Sequence, residues 1–344
     1  MKRCGSQFVF GAWAALLGAT VAGCWSAGSP EVVVYSALDR EFAEPVLNEF
    51  TRASGIRVLA KYDDESTKTV GLTSAIIQEG SRPRCDVFWN NEIVNTLRLE
   101  QKGMLASYHP PVADAYPAMY RSPDGTWHGF AARARILIVN TKLVEEGGRP
   151  KSIYDLTEGK WKGRIGIARP IAGTTATHVA CLFAMLGEEK AKKFFRDLKD
   201  NDVQILGGNK QVAQAAASGQ ITFGLTDTDD AIIELERGGA VTIVYPDRQP
   251  EELGTLFIPN TLAIIKGAPH LDQAKKLVDF LLSPASEEML ARGASAQIPL
   301  NPEARAPTRV ETPKTVKAMP VEFAAAAKQW DAALQFIEQD FLAR

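Results

Sequence analysis

Apolar positions change their spacing repeatedly along this chain. From residue 31 onward, short runs rich in β-branched residues alternate with stretches whose apolar residues recur every three or four positions. That alternation is the signature of an α/β architecture built mainly on parallel sheets. Residues 32–35 predict a first strand, 41–53 a helix stopped at Gly55, 56–62 a second strand and 67–79 a second helix. A strand over 86–89 and a helix over 91–102, closed by Gly103, complete one β-α-β-α-β-α unit. Residues 108–123 hold four prolines and little periodicity, so a surface loop is expected there.

The pattern then restarts. Strands are predicted over 135–140, 164–168, 203–206, 221–225 and 240–245, and Val179, Leu182, Phe183 and Leu186 line one helical face. A further strand over 262–266 precedes a helix with Ala274, Leu277, Val278 and Leu281 on one side. In the last helix Phe323, Ala327, Trp330, Leu334, Ile337 and Phe341 form a stripe that must be buried against a neighbour. The chain shows neither an internal repeat nor a low-complexity segment.

Ahead of residue 31 the logic differs. Lys2 and Arg3 precede an uncharged, apolar-rich run over 8–22. The run is too short for a membrane-spanning helix, which takes about 20 apolar residues, and fits the hydrophobic region of a secretory signal peptide. It ends in Val21-Ala22-Gly23-Cys24, a match to the bacterial lipobox: an aliphatic residue, two small residues for the peptidase, and a Cys whose thiol takes a lipid. The expectation is a signal peptide over 1–23, lipidation at Cys24 and a short tether over 24–30. The chain would then be held by its lipid in the periplasm or at the cell surface. Ordinary secretory cleavage beside an incidental Cys is the competing reading.

Composition narrows the class only a little. The 344 residues are 45% hydrophobic and 23% charged, a globular balance at a length of about two domains. Lys+Arg number 39 against 41 Asp+Glu, so no broad electropositive field points to nucleic acid. Four Cys do not make a disulfide scaffold, and Cys85 and Cys181, both in apolar stretches, read as small buried hydrophobes.

Two α/β units joined by several crossings imply a hinge and a cleft, where ligands tend to bind. The residues also resemble a known family, the bacterial periplasmic solute-binding proteins of the ferric-ion-binding type. The landmarks are Val32-Val33-Val34-Tyr35-Ser36, Cys85-Asp86-Val87-Phe88-Trp89, Trp127 followed by Arg133-Ala134-Arg135, Gly219-Gln220-Ile221 leading to Gly224-Leu225, and Pro259-Asn260-Thr261. The resemblance implies a two-lobe type II periplasmic binding fold with a hinge and an interlobe cleft. Lobe 1 would take residues 31–132 plus about 259–310, lobe 2 would take 133–258, and a helical segment over 311–344 would pack on a lobe. It further implies a monomeric receptor, not an enzyme, that closes over a small ligand and delivers it to the permease and ATPase subunits of an ABC importer. No cofactor is required beyond a bound metal ion with its synergistic anion, if metal is the cargo.

The resemblance also carries ligand positions over. Ferric-binding relatives hold iron with a His in the loop after the first strand, a Glu after the third, and a Tyr-Tyr pair following the Gly-x-Ile strand. Those places here carry Asp39, Asn91 and Asp229-Asp230, and no tyrosine lies between Tyr154 and Tyr245. Losing the phenolates removes the strongest reason to assign iron, and leaves Asp39, Asp229 and Asp230 as the candidate metal ligands. Asp227, Asp229 and Asp230 read equally as hydrogen-bond partners for a solute's hydroxyls or amines, or as the cap and first turn of a helix. Gly173, Thr174 and Thr175, at a predicted helix start, form an anion site in the making, and family members bind an anion here with help from an Arg that matches Arg133. Ser36 and Asn209 enter as polar supports by alignment, while Trp89 reads as core.

Anion donors opposite carboxylates also suit a phosphorylated or polyhydroxylated organic solute, such as a sugar phosphate or an aminophosphonate. A transferase-like enzyme is a third class, but Gly-x-Gly-x-x-Gly, P-loop, His-Glu-x-x-His and Cys-x-x-Cys motifs are all missing. Of the four His, only His178 falls near the anion site. A periplasmic adaptor that signals to a separate sensor would use the same closure.

Overall fold

The computed structural model describes residues 29–63 and 68–343, so the signal segment, Cys24 and most of the 24–30 tether lie outside the described residues. In chain order the elements are β1 (Glu31–Ser36), α1 (Arg40–Ser54), β2 (Arg57–Tyr62), α2 (Val70–Glu79), β3 (Val87–Asn90), α3 (Val94–Gln101), β4 (Leu105–Ala106), β5 (His128–Asn140), β6 (Ile165–Ala168), α4 (Gly173–Leu186) and α5 (Glu188–Asp200). Then come β7 (Gln204–Leu206), α6 (Asn209–Ser218), β8 (Phe223–Asp227), α7 (Thr228–Glu236), β9 (Val241–Val244), β10 (Phe257–Ile265), α8 (Leu271–Leu281), α9 (Pro284–Arg292) and α10 (Phe323–Phe336), which runs into a π-turn over Ile337–Phe341. No helix among the described residues is long and apolar enough to cross a membrane.

The strands follow one path, β2-β1-β3-β10-β5-β8-β6-β7, with β4 on β10 and β9 on β5. In the first half β1 is parallel to β2 and β3, and β10 runs antiparallel to β3. In the second half β6 is parallel to β7 and β8. The junction is β5: His128 to Ala134 pair with β10, whereas Arg135 to Asn140 pair with β8 and β9. The handover therefore falls between Ala134 and Arg135, just beyond the 132/133 division expected from sequence.

Both β5 and β10 are longer than their apolar runs predict, and every residue in them is buried. The first half of β5 is hidden from pattern analysis because it reads His-Gly-Phe-Ala-Ala-Arg-Ala, and Ala131 sits at φ 41, a left-handed conformation rare for a residue with a Cβ. In β10, Pro259 breaks the pattern, yet it lies at a register shift between Ile258 and Asn260, where a missing N–H costs no ladder bond.

The C-terminal helix does more than cover one lobe. Trp330 of α10 lies under the Arg98 guanidinium of α3, 5.1 Å from ring centre to carbon, while Phe336 packs against Phe183 of α4 and Phe195 of α5. The apolar stripe thus bridges both halves of the molecule, where a single-lobe contact was expected.

Behind the handover in β5 lies Glu287 of α9, fully buried. Its Oε1 accepts from Ala131 N (2.6 Å) and Leu300 N (3.1 Å), and its Oε2 from Asn301 N (2.5 Å). Asn260 Nδ2 donates to the carbonyl of the same Ala131. The strained residue is thereby held at both its polar groups.

Burial pushes the Glu287 carboxyl up from near 4.5 to about 7, against the pull of the three N–H donors. A carboxyl with a raised pKa binds more protons folded than unfolded between those values, so stability falls as pH rises through that window. Urea unfolding at about pH 5 and about pH 8 should show a loss on the order of 1–3 kcal/mol at the higher pH. Glu287→Gln should flatten that slope while lowering stability at the acid end by about 1–3 kcal/mol, because Asn301 N loses its acceptor.

Candidate functional site

Several element ends meet where the two halves face each other, and Arg135 of β5 ties them together. Its guanidinium is fully buried; Nη1 donates to Asp227 Oδ1 (2.7 Å), Asn209 Oδ1 (2.9 Å) and Thr174 Oγ1 (3.3 Å), and Nη2 to Thr175 Oγ1 (3.2 Å). Asp227 Oδ2 accepts from Thr174 Oγ1 (2.5 Å) and Asn209 Nδ2 (2.9 Å). One charge pair thus fixes the end of β8, the first turn of α4 and the first residue of α6. Asp227 stands at the N-cap position of α7, but its side chain caps nothing there. Both its oxygens are committed within the protein.

Two residues earlier on β5, Arg133 reaches into the same region. Its Nη1 lies 3.1 Å from Asp229 Oδ2 and its Nη2 donates to Asn260 Oδ1 (3.2 Å). Asp229 is buried and its Oδ1 has no partner, nor does Arg133 Nε. Burial first, opposed by Arg133 and reinforced by Asp227, raises the Asp229 carboxyl to about 6. Oxygens of Asp227, Asp229 and half-buried Asp230 come within 4.8 Å of one another.

Asp39 is not a member of that carboxylate trio. Its Oδ1 sits 2.5 Å from the Lys68 ammonium. The backbone of Lys68 also crosses the cleft, since its carbonyl accepts the N–H of Gly173 at 3.0 Å. Lys68, Arg169, Gly173, Thr175 and Asn209 line a small cavity of about 20 Å³ between the starts of α4 and α6. Neither helix start has a side-chain cap, and Gly173 takes φ 60, a conformation that costs a Gly little. The starts of two helices, with the Gly173 N–H already donated to Lys68, and two basic side chains therefore converge on one spot, an arrangement that favours a negative charge.

Two further contacts join the halves. Thr177 Oγ1 donates to Glu92 Oε2 (2.7 Å), and Lys210 Nζ lies 3.1 Å from Glu41 Oε1. A wider depression of about 670 Å³ opens beside them, lined by Asp39, Arg40, Tyr62, Asp63 and Lys210 among others.

The remaining candidates are distributed as follows. Ser36 is buried and donates to its own turn at Leu38 O (3.1 Å). Asn91 is buried with its Oδ1 unpartnered. The adjacent Glu92 turns inward, accepting from Val94 N, Asn95 N, Asn90 Nδ2 and Thr177. Trp89 is core, packed on Phe130 with ring centroids 5.4 Å apart. His178 is buried among Val179, Leu182 and Phe195, and burial plus the Arg135 charge drive its pKa well below the usual value, so it stays neutral. Cys85 and Cys181 are free and buried. Sequence reasoning missed Lys68 and Glu92: a lone Lys in a polar loop carries no signal, and Glu92 lies one position past Asn91, the residue singled out from the sequence.

The profile of the family described as bacterial extracellular solute-binding protein matches residues 94–334. The major ferric iron-binding protein of Neisseria meningitidis serogroup A is 27% identical over 297 residues, 83% of this chain and 86% of that protein. Iron-bound HitA from Pseudomonas aeruginosa superposes with a TM-score of 0.81 at 23% identity, covering 90% of this chain and 99% of the other. AfuA from Actinobacillus pleuropneumoniae, with fructose-6-phosphate bound, gives 0.80 at 24% identity, covering 91% and 99%. These likenesses show the two-lobe type II periplasmic binding fold.

The polar knot should answer to substitution. Arg135→Met leaves Asp227 buried without its countercharge, and urea unfolding is expected to show a loss of about 3–5 kcal/mol. Replacing both members together, as Arg135→Met with Asp227→Leu, should recover part of that loss.

Proposed function

Because the chain belongs to the bacterial extracellular solute-binding protein family, we propose that it captures a small anion-bearing ligand between its lobes and delivers it to the permease and ATPase subunits of an ABC importer. The observation that carries this reading is the convergence of two uncapped helix starts with Lys68 and Arg169 on one cavity. The role is binding without turnover, by a monomer outside the cytoplasm, anchored through a lipid on Cys24.

Two kinds of ligand share such an anion. One is a metal ion, ferric iron foremost, that arrives with a companion anion. Its support is the oxygen cluster of Asp227, Asp229 and Asp230 and the likeness to a major ferric iron-binding protein. The other is a phosphorylated organic solute, supported by the commitment of both Asp227 oxygens to internal partners and by the likeness to a fructose-6-phosphate-bound protein.

Titration calorimetry of the mature chain, expressed without its lipid, tests the shared claim with inorganic phosphate, fructose-6-phosphate and ferric citrate. Binding of at least one is expected, and Thr175→Val should weaken it about tenfold by removing a hydroxyl from the cavity wall. Failure of all three to bind the wild-type chain would overturn the reading.

A further inference from the structure

The charges of the cleft pair off. Asp227 has Arg135 at 2.7 Å, Asp229 has Arg133 at 3.1 Å, and Asp39 has Lys68 at 2.5 Å. Asp230 and Asp39 both lie in the field of Lys210, whose own first partner is Glu41. Of the carboxylates singled out as metal ligands, Asp39 and Asp229 are thus each paired with a basic side chain of this protein, and Asp230 lies in the field of Lys210. A free metal cation entering here meets Arg133 and Lys68 as like charges, with Asp39 Oδ1 and Asp229 Oδ2 already engaged.

Lys68 differs from the two arginines. Arg133 and Arg135 are rooted in β5 and fully enclosed, whereas Lys68 sits on the loop ahead of α2 and its side chain keeps 15% of its exposure. Its ammonium, paired with Asp39, also helps hold the Asp229 carboxyl down. Its carbonyl touches the first N–H of α4, and its side chain lines the cavity between α4 and α6. One residue therefore occupies the cation position of the cleft while facing its anion position.

We infer that Lys68 determines specificity, serving as a built-in cation that excludes free metal ions and selects a ligand carrying its own phosphate, phosphonate or carboxylate group. This inference rests on the cleft being the binding site. When such a ligand enters between the helix starts, the Lys68 ammonium, positioned by Asp39, is one of the two basic groups that line the cavity, Arg169 being the other. Asp229 and Asp230 then face the remainder of the solute, where hydroxyl or amine groups donate to them.

The test compares the wild-type chain with Lys68→Met, which keeps the length of the side chain, and Lys68→Arg, which keeps the charge. Two probes are used: inorganic phosphate by calorimetry, and ferric iron presented as its nitrilotriacetate complex, with retained metal read by native mass spectrometry after gel filtration. Wild type and Lys68→Arg are expected to bind phosphate and retain no metal. Lys68→Met should bind phosphate at least tenfold more weakly and retain iron. Equal urea midpoints for the three proteins confirm that folding is not the cause. If Lys68→Met binds phosphate as wild type does, or gains no metal, the inference falls while the cleft reading stands. Stoichiometric iron on the wild-type chain also sinks the inference and leaves the cleft as a metal carrier. Should no form bind either probe, this inference falls, and the fructose-6-phosphate titration decides whether the cleft reading falls with it.

Discussion

The buried pair of Arg135 and Asp227 is the constraint on which the rest of the cleft depends. A guanidinium removed from water seeks partners for its donors within the protein, and here the two Nη groups reach the ends of β8, α4 and α6 together, while Nε has no partner. Such pairs contribute little net stability compared with an apolar replacement, so their value lies in position. Because Arg135 is the first residue of β5 to pair with the second half of the sheet, whatever it grips is referenced to the hinge strand itself. Thr174, Thr175 and Asn209 are thereby set at fixed distances from the strand that joins the two halves.

Arg133, on the same face and just before the handover, does the corresponding work toward the first half. It links Asp229 to Asn260, and Asn260 holds the carbonyl of Ala131, whose N–H is held by Glu287. From Asp229 to the back of β5 there runs a continuous series of hydrogen-bonded groups that ends at a residue whose backbone is strained.

Much of the fold was legible because β-branched runs and three-to-four spacings mark strands and helices directly. What escaped notice were the crossing strands. Their first halves are built of Ala, Gly, Arg, Pro and Asn, residues chosen for close packing and for the bulge rather than for strand propensity, so tertiary context overrides the pattern there. At the site, position was legible and partnership was not. Asp39, Arg133, Thr175, Asn209 and Asp229 do gather about the cleft, because loop ends at strand termini point that way. Whether an acidic side chain there is bare or neutralised depends on which base the opposite loop brings, and Lys68 has no periodicity or motif to betray it. The one-residue offset between Asn91 and Glu92 has a similar origin, since a turn after a buried strand decides which of two neighbours faces inward.

The interleaved order of the strands also has a consequence for how the chain acquires its shape. Residues 135–244 contain every strand of the second half, so that sheet is complete as soon as they are available. The first half cannot close in the same way: β3 needs β10, more than a hundred residues later, before its open edge is covered. α10, which clamps both halves through Trp330 and Phe336, comes last of all. The N-terminal strands therefore keep an uncovered edge until the returning chain supplies β10.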